Sequence, residues 1–367
     1  MSKMFEATEI NGMTLSNRFV RSATWEGMAT EEGECTPRLI DWMTELAKGQ
    51  LGLIISSYAY VREDGKSGPG QIGIYKDDLI PGLRNMTETI HDQGGKVVSQ
   101  LTHGGFFSNP KLTGKPILAP SDVAGFAKAS RKEMTEVDIG EIVEAFGEAA
   151  RRARDAGFDG IQIHSAHGYL FSQFISPAFN KRNDKYGGSV AQRTRALLEV
   201  LGKMRNMVGD DFPILVKLNC EDFIEGGLTL EDSLKVGAML QKNGMDAIEV
   251  SGGTLVSGKF GPSRPGIKTE EKEAYFRDAG KAFKEALDIP IILVGGNRSF
   301  RMAERLVKEE YADYISMSRP FIREPHLIKR WAAGDLRKAE CVSDNQCFSP
   351  GMKGKGVYCV TAEKGKK

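Results

Sequence analysis

IGEIVEAFGEAARRARDAGFDGIQIH, residues 139–164, decides the fold. Its first part, 139–156, sets Ile142, Val143, Phe146, Ala149 and Ala150 three to four residues apart, with Arg and Glu filling the other face. That spacing predicts an amphipathic helix. The end of the stretch, 160–164, is a short run predicted to be a strand. Working outward, seven more such runs stand at 19–24, 53–58, 96–101, 214–219, 247–251, 291–294 and 314–317, most followed by a helix-like segment. Several read as continuous apolar runs, as strands buried on both faces of a parallel sheet do. Strand alternating with helix says α/β with a parallel sheet, and eight repeats suggest a closed (β/α)8 TIM barrel. The competing architecture is an open doubly wound sheet, which usually carries a glycine-rich first turn. No strand-to-helix Gly-x-Gly-x-x-Gly opens this chain.

One excursion interrupts the alternation. Residues 102–135 carry glycine, proline and two phenylalanines, and in a barrel that position is a loop over the C-terminal mouth. Beyond Pro325 the barrel is complete, so residues 1–330 form it. A short helix at 327–333 and a Lys- and Gly-rich tail, 331–367, follow. No repeat of about 20–50 residues is present.

The bulk composition excludes some partners. The 367 residues are 40% hydrophobic and 27% charged, and 50 Lys and Arg against 49 Asp and Glu leave a formal net charge of +1. No overall field favours nucleic acid or an anionic membrane. No run of eighteen apolar residues occurs, and the opening MSKMFEATEI lacks the apolar core of a signal peptide, so a cytoplasmic protein is expected. Cys35, Cys220, Cys341, Cys347 and Cys359 are too few and too dispersed for a disulfide framework.

Unusual polar residues fall where the predicted strands stop. Ala23-Thr24-Trp25 ends the first and Ser56-Ser57-Tyr58 the second, while Gln100 and His103 end the third. His164, His167 and Tyr169 follow the fourth, and Lys217 and Asn219 close the fifth. Gly295-Gly296 follows the seventh and Ser318-Arg319 the eighth. Any one of these suits a loop cap, but barrel enzymes assemble their sites from these βα loops, and seven of eight is a catalytic pattern. Gly295-Gly296 lets backbone N–H groups approach an anion, and Arg319 supplies a rigid fork for it, so together they suggest phosphate. Separately, the glycines also suit a plain turn and the arginine a helix cap.

His164 and His167 lie three apart, so a turn of helix would bring both rings to one side. Zinc would need further ligands in the right context, and none are evident. No metal is expected. As two hydrogen-bond donors to one carbonyl oxygen the pair makes better sense, holding a developing enolate at about 3 kcal/mol per donor. Tyr169, with an ordinary pKa of about 10, is protonated at neutral pH and can give a proton to carbon.

The segment from His164 through Asn180, Arg182, Asp184, Tyr186, Gly187, Gly188 and Ser189 resembles the Old Yellow Enzyme family of FMN ene-reductases. NRFVRSAT near the start, SQLTHGG around Gln100, Gly295-Gly296 and the Ser318-to-Pro320 SRP carry the same resemblance, which spans essentially the whole chain. It implies FMN as cofactor and NADH or NADPH as reductant. Gln100 would hydrogen-bond the pyrimidine edge of the flavin, and Ala23 and Thr24 would lie beside its O4 and N5. Gly295, Gly296, Ser318 and Arg319 would hold the ribityl phosphate. His164 and His167 would bind the carbonyl of a small enone or enoate, and Tyr169 would be the proton donor. The reduced nicotinamide reduces the flavin and leaves; the substrate then receives hydride at its β-carbon and a proton at its α-carbon, a ping-pong cycle. Whether such a protein forms a homo-oligomer stays open.

Three departures from the family pattern stand out. Lys217 occupies the position where the family commonly has Arg beside flavin N1 and O2, keeping the charge but losing the fork. Trp25 and Gly27 stand where relatives carry small or Tyr residues, so Trp25 would reshape the substrate wall. The tail CVSDNQCFSPGMKGKGVYC resembles the cluster-binding region of the larger dienoyl-CoA reductase branch, but Asp344 replaces the second cysteine. An iron–sulfur cluster wants four thiolates, so Cys341, Cys347 and Cys359 read as a relic. A zinc site of the three cysteines, completed by the aspartate or water, is the lesser alternative. A stand-alone barrel without the FAD-binding half of that branch is expected. The basic stretch at 128–132 is a solvated loop face or a contact for a 2′-phosphate or CoA. Two other functions compete: a flavin amine dehydrogenase of the same superfamily, against which the histidine pair argues, and a non-redox barrel binding a phosphorylated ligand.

Overall fold

A computed structural model of the chain describes residues 2–123 and 131–365. Eight parallel strands close into a barrel: Phe19–Arg21, Leu53–Tyr60, Val97–Thr102, Gly160–Ser165, Ile214–Asn219, Ala247–Ser251, Ile291–Leu293 and Tyr314–Met317. Neighbours follow chain order, and the eighth strand pairs with the first to close the ring. All eight predicted runs are strands, three with the expected ends and five with ends shifted by one to three residues. Helices Pro37–Lys48, Ile80–His91, Glu136–Asp155, Val190–Val208, Leu230–Lys242, Arg277–Ala286 and Phe300–Lys308 form the outer ring.

The helix read from residue 139 starts earlier. Thr135 accepts from the Asp138 N–H and Asp138 reaches back to the Thr135 N–H, a capping box that sets the start at Glu136. Ile139, Ile142, Phe146, Ala149, Ala150 and Ala153 are buried along one side, as their spacing predicts. Truncating Ile142 to Ala would cost about 2–5 kcal/mol. A second capping box, Ser189 with Gln192, starts the neighbouring helix Val190–Val208.

Inside the barrel the strands' period of two stacks side chains in layers. The lowest layer is apolar, with Val20, Leu53, Val98, Leu215, Ala247, Ile292 and Tyr314, and an N-terminal hairpin (Thr8–Ile10 with Met13–Leu15) seals it through Ile10, Met13 and Leu15. One step up, six positions turn polar (Ser22, Gln100, Gln162, Lys217, Glu249 and Ser316) while Ile55 and Val294 stay apolar, and above them the interior opens into the mouth. The bottom is therefore packed for stability, and the top is free for chemistry.

The described parts of the excursion, 102–123 and 131–135, lie over that mouth. Its Phe106, Phe107 and Ala119 pack with Phe179, Ile224 and Val256 from the loops after the fourth, fifth and sixth strands. Of the basic stretch at 128–132, residues 128–130 lie outside the described residues. After Pro325 the chain makes the short helix Leu327–Ala332 and then doubles back. The tail is not a separate unit: Val357 donates its N–H to Glu26 O (2.8 Å), and Ser343 and Phe348 form part of the mouth. Among the described residues, no helix is long and apolar enough to cross a membrane.

Candidate active site

The mouth holds a cavity of about 400 Å³. Its floor is the polar layer, and one carboxylate organises it. Glu249 Oε1 accepts from Ser22 Oγ (2.7 Å) and Ser316 Oγ (2.8 Å), and Oε2 accepts from Gln162 Nε2 (2.9 Å). The Lys217 ammonium lies 3.2 Å from Glu249 Oε2 and donates to Ser22 Oγ at 2.7 Å. Gln162 Oε1 in turn accepts from Gln100 Nε2 at 2.7 Å. All six side chains are buried. Burial pulls Lys217 below its ordinary pKa, and the Glu249 carboxylate opposes that.

Above this floor stand the histidines and tyrosines. The His164 and His167 rings are nearly perpendicular, 87°, with centroids 5.2 Å apart, and Tyr169 lies 4.6 Å from His164. The sequence spacing suggested a turn of helix for this pair, and that is not what joins them. His164 is the penultimate residue of the fourth strand, whereas His167 sits in the following loop at φ +63°, a left-handed conformation that brings its ring beside His164. A non-glycine residue there costs about 1–2 kcal/mol. Two contacts hold it: the His167 N–H donates to Asn219 Oδ1 (3.0 Å), and the His167 carbonyl accepts from the Leu255 N–H (3.2 Å). Ser251 Oγ, 2.7 Å from His167 Nε2, orients the ring. His164 Nδ1 is buried with no hydrogen-bond partner among the described residues.

Burial, then the charges of His167 and Lys217, push His164 well below its ordinary pKa; burial and Lys217 do the same to His167. Both rings are neutral at pH 7, so each has one N–H to give. Burial raises Tyr169, partly offset by hydrogen bonds with Tyr58 and Ser67, so its hydroxyl keeps its proton. Tyr58 reaches the site through a register shift in the second strand between Ile55 and Tyr58, which turns its ring to 5.4 Å from Tyr169.

The opposite end of the cavity is built for an anion. Gly296 has φ +77°, and among the described residues no acceptor takes the N–H of Gly296 or Asn297. Arg319 is buried, opens the short helix Arg319–Arg323, and has no carboxylate within ion-pair distance among the described residues. Thr24 Oγ1 and Ser318 Oγ lie 2.7 Å apart beside it. Gly295, φ +132°, does not line the cavity; its carbonyl accepts from the Tyr275 N–H at 2.9 Å, making the turn that presents Gly296.

Ala23, Thr24, Trp25, Gln100, His164, His167, Tyr169, Lys217, Gly296, Ser318 and Arg319 thus share one cavity. Trp25 lines it with one side already covered: its indole N–H donates to Pro69 O (3.0 Å), and the ring packs against the cluster of Ile322 with Cys347 and Val357 of the tail. Gln162, Glu249, Ser22, Ser316, Ser251 and Phe348 belong to the site and were not singled out from the sequence, and Tyr58, noted there only as a strand-end residue without a role, belongs to it too. Strand parity was the available signal for most: Gln162 is two before His164, and Glu249 two before Ser251. Among the described residues, no group of three or more His, Cys, Asp or Glu could hold a metal ion, the tail cysteines included.

Residues 3–337 match the NADH:flavin oxidoreductase / NADH oxidase family. The chain belongs to that family. It is 36% identical over 325 residues to the NADPH dehydrogenase of Halalkalibacterium halodurans, covering 88% of this chain and 92% of that one. The NADH oxidase of Thermoanaerobacter brockii is 34% identical over 353 residues, 93% of this chain and 52% of that protein, so the chain spans about half that relative's length. The old yellow enzyme homologue from Zymomonas mobilis superposes with a TM-score of 0.79 at 25% identity, covering 98% of this chain and 99% of the other. This is the Old Yellow Enzyme family of the motif resemblance, whose flavin is FMN and whose reductant is NAD(P)H. The donor set of this NADH:flavin oxidoreductase family member fits that group: amide and ammonium at one end, backbone N–H groups and a guanidinium without an ion pair among the described residues at the other.

Proposed function

We propose that the chain is an FMN-dependent ene-reductase that uses NAD(P)H to reduce the C=C bond of α,β-unsaturated carbonyl compounds. FMN bound in the cavity would supply the hydride, received from NAD(P)H and delivered to the substrate's β-carbon. Gln100, whose N–H2 is already given to Gln162, keeps its carbonyl oxygen for the imide N–H of the pyrimidine edge. Lys217 would place positive charge beside that edge, and Ala23 and Thr24 would flank the ring. Gly296, presented by the turn at Gly295, would hold the phosphate end with Ser318 and Arg319.

One observation carries the reading: two neutral imidazoles, perpendicular and 5.2 Å apart, with a protonated tyrosine beside them. His164 and His167 would donate to one substrate carbonyl oxygen and stabilise the enolate as it forms. Tyr169 would then deliver its proton to the α-carbon. An amine substrate has no oxygen for this pair to hold.

An anaerobic titration tests it. NAD(P)H should bleach the yellow protein, and an enone such as cyclohexenone should restore the colour. Bleaching by an amine, with no recovery on adding enone, would assign amine oxidation instead.

A further inference from the structure

Arg319 is 7% exposed, and its Nη1 donates to Asn345 Oδ1 at 2.6 Å. Asn345 lies in the tail, held in turn by the loop after the sixth strand. Its Nδ2 donates to Ser263 O (2.7 Å), and its Oδ1 also accepts from Ser263 Oγ (3.0 Å). These contacts fix which way the amide faces. The residue has φ +59°, a conformation asparagine tolerates better than most side chains. Two residues earlier the carbonyl of Ser343, at φ +56°, accepts the Gly266 N–H at 3.0 Å. Tail and loop are therefore knitted at the spot where the guanidinium is held.

The chemistry of the holding group matters. An amide oxygen takes one N–H of the five and leaves the charge of Arg319 whole. A carboxylate in its place would hold the guanidinium equally well and cancel the charge that a phosphate needs. We propose that Asn345 is a positioning residue for the flavin phosphate: it aims Arg319 into the cavity without neutralising it. The proposal rests on the reading of Arg319 as the phosphate ligand. It gives the tail a task in cofactor selection, preferring FMN over the phosphate-free riboflavin.

The test titrates the flavin-stripped full-length protein with FMN and, separately, with riboflavin, following flavin fluorescence. Asn345→Ala should weaken FMN by about tenfold, the loss of one hydrogen bond to a charged group. The isosteric Asn345→Asp should weaken it by about 100-fold, because the new carboxylate also cancels the charge. Riboflavin affinity should stay within about twofold in both, since it carries no phosphate. Riboflavin falling in step with FMN would show that Asn345 only keeps the tail folded, and would overturn the proposal. So would Asn345→Asp binding FMN as well as Asn345→Ala does. Arg319→Met separates the two levels of the argument: it should erase most of the preference for FMN. If it leaves that preference unchanged, the phosphate reading itself falls; if it erases the preference while the Asn345 variants do not move it, only the role of Asn345 falls.

Discussion

Glu249 and Lys217 face each other across the fifth and sixth barrel strands, carboxylate to ammonium 3.2 Å apart and both closed to solvent. Neither charge has water to fall back on, so each depends on the other. Glu249→Leu should lower stability by about 3–5 kcal/mol, because it strands a buried ammonium. Lys217→Met should do the same by stranding the carboxylate. The double variant should recover much of that loss, since a buried ion pair replaced by apolar residues of similar volume is often near neutral. Urea midpoints of the flavin-free protein measure this; additive losses in the double variant would show that the two charges are not coupled.

The barrel was legible because each strand is a local apolar run and each helix a local stripe; 139–164 shows one complete unit in a single reading. What lay outside the sequence reading was non-local. Gln162 and Glu249 sit mid-strand among apolar neighbours, and only closure of the ring makes them meet. The His164/His167 pair was legible as a pair, but the positive φ of His167 that joins them depends on Asn219 and Leu255, far along the chain. Tyr58 enters through a register shift that no residue type announces. Asn345 serves Arg319 across 26 positions of chain, from a tail that reads as a cluster relic.

Stability should also depend on pH through the histidines. Both have folded-state pKa values depressed below the unfolded value of about 6.5. The unfolded chain therefore binds more protons than the folded one just below that pH. Stability is fully present above about pH 6.5 and is lost as the pH falls, by up to about 1.4 kcal/mol per pH unit for each histidine. A His164→Asn/His167→Asn double variant should show a flatter stability profile between pH 7 and 5. Denaturation curves parallel to wild type across that range would remove the histidines as the source.

If the two imidazoles hold one carbonyl oxygen, changing either histidine to Ala should slow the oxidative half-reaction by about 10²–10³, the usual loss for one such donor. The reductive half-reaction should suffer less, because no enolate forms on the nicotinamide. Ser251→Ala leaves both rings in place but frees His167 Nε2 from its 2.7 Å contact, and should cost about tenfold, one hydrogen bond to the ring. Binding of a phenol, read from its charge-transfer band, should weaken in the same order. A phenol bound equally well by all three variants would show that the pair does not contact the oxygen.

The last prediction separates the proton from the carbonyl contact. Tyr169 lies 4.6 Å from His164 by ring centroid, and burial, only partly offset by hydrogen bonds with Tyr58 and Ser67, keeps its hydroxyl protonated. Tyr169→Phe removes one oxygen and leaves the ring's packing intact. Phenol affinity and flavin reduction by NAD(P)H should therefore stay near wild type, while enone reduction slows at protonation of the α-carbon by about 10²-fold, within the range for a lost general acid. Nitroalkenes, whose reduced nitronate anion persists without that proton, should be spared. Tyr58→Phe should cost less, because Tyr58 acts through its hydrogen bond with Tyr169 rather than giving the proton itself. If Tyr169 only packs against the barrel mouth, enones and nitroalkenes should respond alike. Stopped-flow traces of the two half-reactions decide it: a Tyr169→Phe enzyme that reduces enones at the wild-type rate removes the proton-donor assignment, and Tyr58 becomes the residue to test in its place.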